Sequence, residues 1–74
     1  MKNKPYCGHR SWNYWNVSLW INNDEGLYNL ARECIRATDN RNQAARRMIE
    51  NLPDKTLDNA PYTISAVRAA MVGM

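Results

Sequence analysis

Seventy-four residues, 45% hydrophobic and 23% charged, describe one small domain near the lower size limit for a single core. A net charge of +3 excludes the densely acidic surface that mimics nucleic acid, and it falls far short of a polybasic arm. No apolar run approaches the roughly 20 residues that span a bilayer, and no apolar stretch follows the basic start Met1–Pro5, so the expected location is the cytosol of the cell that expresses the chain.

In chain order, residues 1–10 carry Lys2, Lys4, Pro5, Gly8 and Arg10, with Tyr6 the one large ring, and read as an irregular basic arm. Residues 12–22 hold two periodicities. Trp15, Val17, Leu19 and Ile21 alternate with Asn16, Ser18 and Asn22 as in a strand, whereas Trp12, Trp15, Leu19 and Trp20 fall on a helical face. A strand here has only the short Tyr62–Ala66 to pair with, and Ser11 is a good N-cap, so the segment is expected to be a helix. Trp15, Leu19 and one further ring are its expected core contribution.

Asn23 is placed to cap a second helix over 24–37, with Asp24 and Glu25 at its positive end and Leu27, Leu30, Ala31, Cys34 and Ile35 as its stripe. Thr38-Asp39 breaks it and opens a third helix, 40–52, with Ala44, Ala45, Met48, Ile49 and Leu52 inward and Pro53 as the stop. Residues 53–61 form a proline-bounded loop with Leu57 as its expected core anchor. Thr63 caps a last helix, 63–72, with Ile64, Val67, Ala70 and Met71 inward and Gly73 beyond its end. The expected fold is all-α, a small single domain of three to four helices around a Trp-rich core, in which Leu27, Leu30, Ile35, Met48 and Ile49 are buried.

The segment Trp15-Asn16-Val17-Ser18-Leu19-Trp20-Ile21-Asn22-Asn23-Asp24-Glu25 resembles a family of short, uncharacterised proteins associated with bacteriophages and mobile elements. Members of that family read W-N-V-x-L-W-[IL]-x-N-[DE] at this point. The resemblance runs from Trp15 to about Ala31 and implies a phage-type setting. It implies no chemistry, because that family has no assigned activity.

The residues themselves offer little for catalysis. Cys7 and His9 share a glycine-containing arm, poor ground for a preorganised nucleophile and base. Adjacent Asp24 and Glu25 diverge by about 100° on a helix, and no phosphate-binding glycine loop is present. A metal site is not expected either, since Cys7, His9 and Cys34 are the only thiol and imidazole groups. No enzyme activity and no cofactor are therefore expected.

Two binding constellations remain. Helices 24–37 and 40–52 have helix-turn-helix proportions, and the second offers Arg41, Asn42, Gln43, Arg46 and Arg47, residue types that bond bases and phosphates. The first helix is apolar nearly all round, so some of its rings are expected at the surface; with Arg10, the residues Trp12, Tyr14 and Trp20 form an aromatic-plus-arginine set typical of protein-binding hot spots. Joined to the phage-type setting, the second constellation gives the expected function. The chain is expected to be a non-enzymatic binder that inhibits or redirects a host protein complex, such as a CRISPR effector or RNA polymerase. The alternative is a small DNA- or RNA-binding protein, and a homodimer is compatible with both.

Overall fold

The computed structural model describes residues 12–74, which form four helices: α1, Trp12–Asn23; α2, Glu25–Ala37; α3, Arg41–Ile49; and α4, Ile64–Ala70. The domain is all-α, and the alternation in the first segment does not make a strand. The arm 1–10 and the Ser11 cap lie outside the described residues.

Local polar contacts set the helix boundaries from the end of α1 to the start of α4. Asn22 Nδ2 donates to the Ser18 carbonyl at 2.9 Å and Asn23 Nδ2 to the Leu19 carbonyl at 2.8 Å, so both side chains fold back on the last turns of α1. The cap of α2 is Asp24, one residue later than expected, because its carboxylate accepts from the Leu27 amide at 3.0 Å while Asn23 bonds backwards. A single residue therefore joins α1 to α2. Thr38 Oγ1 closes α2 by donating to the Cys34 carbonyl at 2.7 Å, and Asn40, again one residue later than expected, caps α3 through the Gln43 amide at 2.9 Å.

Helix α3 stops three residues short of its expected end. Tight turns at Asn51 and Leu52 replace its last α-helical bonds, and Asn51 Nδ2 donates to the Arg47 carbonyl. Thr63 caps α4 as expected, but the helix ends at Ala70, two residues short of its expected end, because Met71 and Val72 continue as tight turns; Gly73 lies beyond them in the left-handed region at φ +89°.

The helices pack in a ring, each against two neighbours: α1 on α2, α2 on α3, α3 on α4 and α4 back on α1, the last contact being the most extensive. The core between them is built of Val17, Ile21, Met48, Val67, Met71, Cys34, Tyr62 and six alanines: Ala31, Ala44, Ala45, Ala60, Ala66 and Ala70. Small side chains in the stripes of α2, α3 and α4 let the helix axes come close.

That choice explains most departures from the expected core. On α2 the stripe is centred on Ala31 and Cys34, so Leu27, Leu30 and Ile35 pack on its borders and are only partly buried; Ile49 does the same on α3, and of the five residues expected in the core Met48 alone is fully enclosed. Ile64 opens α4 facing outward.

The core is not Trp-rich. Trp15 and Trp20 are half-buried and Trp12 is exposed, because α1 turns the opposite side inward: Asn16, Val17 and Ile21 are buried, and Tyr14 packs against the core.

Candidate functional site

Burying Asn16, which is 1% exposed, requires partners for both ends of its amide. The loop after α3 supplies them. Thr56 Oγ1 donates to Asn16 Oδ1 at 2.7 Å, and Asn16 Nδ2 donates to Asp58 Oδ2 at 2.9 Å. The acceptor-only carboxylate of Asp58 fixes which end of the amide faces it. The Thr56 hydroxyl also accepts from the backbone amides of Asp58 at 3.2 Å and Ala60 at 3.1 Å, which fills its capacity of one donor and two acceptors.

Asp58 Oδ2 takes a second bond, from Trp20 Nε1 at 3.0 Å. Bonding to Asn16, and then to Trp20, holds the Asp58 carboxyl below its ordinary range. A hub of two residues on α1 and two on the loop thus locks the loop against the helix.

The loop has the geometry this requires. Thr56 N–H donates to the Ala60 carbonyl at 2.8 Å, Asn59 N–H donates to the Thr56 carbonyl at 2.9 Å, and Asn59 turns the chain at φ 73°, a conformation asparagine tolerates. Thr56 and Ala60, both buried, anchor the loop. Leu57, expected to be that anchor, stands at the tip 86% exposed.

With this side of α1 committed to the core and the loop, another face is left outside. Trp12, Trp15 and Leu19 follow at positions i, i+3 and i+7, one stripe of the helix. Trp12 and Leu19 are each 39% exposed and Trp15 is half-buried. Trp20 borders the stripe, and with Leu19, Asn23 and Asp24 it lines a shallow depression of about 320 Å³. No residue of α1 is charged. A water-exposed helix without a charge, carrying two tryptophans and a leucine in line, is an unusual surface for a small soluble domain.

Of the residues singled out from the sequence, Trp12 and Trp20 lie on or beside this surface. Tyr14 turns to the core side, and Arg10 lies outside the described residues. Leu19 and Leu57 were expected inside, so their outward placement was missed. Asp58 was missed because its role depends on a contact 38 residues away in sequence.

The α3 set is also at the surface. Arg41 donates to the Met74 carbonyl at 3.3 Å, and Asn42 Oδ1 accepts from Arg68 at 3.0 Å. Gln43, Arg46 and Arg47 line a shallow depression with Thr38 and Glu50, so a carboxylate stands among the arginines. Residues 12–74 hold seven basic and seven acidic side chains, so the whole formal charge of +3 belongs to Lys2, Lys4 and Arg10. The helical body is neutral.

Among the described residues, no group of three or more His, Cys, Asp and Glu side chains is arranged to hold a metal ion, and no helix is long and apolar enough to cross a membrane. Cys34 is enclosed, and burial pushes its thiol pKa up, away from the reactive thiolate.

Residues 2–68 match the family of unknown function DUF7249, and the chain belongs to that family. No curated protein and no solved structure matches it.

Proposed function

We propose that this DUF7249 member is a non-enzymatic protein-binding module whose contact surface is the outer face of α1. The observation that supports the reading is the uncharged stripe Trp12–Trp15–Leu19, left outside the core. Tryptophan and other large apolar groups at the centre of an exposed patch are the usual carriers of binding energy between proteins. Trp20, pinned by Asp58, and the bared Leu57 on the adjoining loop extend the surface.

The hub through Asn16 and Thr56 keeps this surface preformed, which lowers the ordering cost of association. The resemblance of the Trp15–Glu25 segment to short phage-associated proteins supports a host protein complex as the partner, bound so as to inhibit or redirect it. A CRISPR effector or RNA polymerase would be such a complex.

A nucleic-acid role for α3 has one observation in its favour, the exposure of Asn42, Gln43, Arg46 and Arg47 on one short helix. The neutral helical body and the placement of Glu50 weigh against it, since non-specific affinity for a phosphate backbone comes from unneutralised positive charge.

Capture from a bacterial lysate with the full chain as bait separates the two readings. A protein retained after nuclease treatment and a high-salt wash supports the first. Material lost under either treatment supports the second.

A further inference from the structure

We infer that the depression beside Trp20 receives a lysine or arginine side chain of the partner, carried next to an apolar anchor on one peptide segment. This rests on the protein-binding reading above and specifies the chemistry of its ligand.

The argument starts from what surrounds Trp20. Its indole N–H is bonded to Asp58, and its ring lines the depression that also holds Asp24. One half-buried indole therefore bonds one carboxylate, Asp58, and shares the depression with a second, Asp24. Neither is saturated. Asp24 uses Oδ1 to cap α2, and Asp58 uses Oδ2 for both Asn16 and Trp20, so each keeps a second oxygen with no hydrogen bond among the described residues.

Among the described residues, no basic side chain lines the depression. Its lining there is Leu19, Trp20, Asn23 and Asp24 alone, and both groups bonded to Asp58 are neutral. The basic residues of the body are Arg32, Arg36, Arg41, Arg46, Arg47 and Arg68, on α2 to α4, together with Lys55 in the loop.

A partner that fills the depression and covers Trp20 must desolvate Asp24 and approach Asp58. Doing so without a counter-charge is costly, whereas a cation beside them restores the lost interaction. The face of an indole attracts the same cation, most effectively once water is excluded. Leu19, next to Trp20, supplies the apolar contact for the neighbouring anchor residue. Phosphate-bearing ligands are disfavoured by the same two carboxylates.

The test is selection of a displayed random-peptide library on the full chain, in parallel with the Asp24→Asn/Asp58→Asn double variant. Asparagine is itself a good N-cap, and its carbonyl still accepts from Asn16 and Trp20, so the fold is retained; an unchanged circular-dichroism spectrum checks this. The expected result is enrichment of Lys or Arg beside Leu, Phe or Trp on the native chain, with the basic preference lost on the double variant. A selected peptide should also lose at least about tenfold in affinity from low to high salt.

Apolar peptides without a basic preference, or the same basic preference on both proteins, would overturn the cationic subsite and leave the α1 surface standing. No enrichment beyond that seen with a Leu19→Gln variant would overturn both.

Discussion

Replacing Thr56 with valine keeps the shape of the side chain and removes its hydroxyl. Three groups then lose a partner: Asn16 Oδ1, the Ala60 amide and the Asp58 amide. The first two belong to residues that are 1% and 0% exposed, so water does not readily replace the lost bond. Each such group costs about 1–3 kcal/mol when left unpaired, whereas the Asp58 amide, only partly buried, can turn to solvent. The variant is therefore expected to lose about 2–6 kcal/mol. At about 0.05–0.15 kcal/mol per residue, the whole chain is stable by only about 4–11 kcal/mol. Thr56→Ser is the control, since it keeps the hydroxyl and gives up one methyl, about 1 kcal/mol. Urea unfolding followed by tryptophan fluorescence reads both, and in a domain of this size each kcal/mol also moves Tm by about 4–8 °C. Equal losses in the valine and serine variants would refute the hub, because they would show that the methyl and not the hydroxyl anchors the loop.

Met48, fully enclosed, should cost about 2–5 kcal/mol when cut to alanine, and Leu30, on the border of its stripe, distinctly less; denaturant titration of both gives the ranking, and a reversal would put the centre of the core elsewhere. Arg46→Glu with Arg47→Glu should leave the circular-dichroism spectrum and partner capture unchanged, whereas saturable, salt-sensitive duplex binding that this change abolishes would favour the nucleic-acid reading. Because Asn16 and Trp20 lower the folded-state pKa of Asp58, its contribution to stability is present above the unfolded carboxylate pKa and is lost as pH falls through the lower folded value. Thermal unfolding of the native chain should therefore weaken through that acidic window more steeply than that of Asp58→Asn, and parallel pH profiles would contradict the bonding.

The elements were legible because their signals are local. Helix stripes and the threonine cap at Thr63 each act within one or two turns, whereas α3 and α4 both stop ahead of the ends that Pro53 and Gly73 mark. Cap positions slipped by one residue where two polar residues stood side by side. At Asn23-Asp24 the first bonds backwards to Leu19 and the second forwards to Leu27, and nothing in their order announces that division.

The core-facing side of α1 was misjudged for a different reason. Size and hydrophobicity point to Trp15 and Leu19 as core, but the outcome depends on where a buried amide finds partners. Thr56 and Asp58 lie 40 and 42 residues from Asn16, and their pairing decides which way the helix turns. Leu57 was misread on the same logic, since the loop is held by the hydroxyl of Thr56 and not by its largest apolar side chain. Of the binding surface, Trp12 and Trp20 were visible in the sequence as surplus rings, whereas Leu19, Leu57 and Asp58 became visible only with the long-range contacts in place.

The central claim is that the outer face of α1 is spent on a partner and not on the fold, and Leu19→Gln tests it most directly. Glutamine keeps the helix propensity and removes the apolar group from the middle of the stripe. Tm and the amount of partner retained from lysate are measured on the same preparation. The account predicts a Tm within about 4–8 °C of the native chain, the equivalent of 1 kcal/mol or less, together with a loss of retained partner corresponding to at least about tenfold in affinity. Unfolding of the variant, or full retention of the partner by a folded variant, would contradict it.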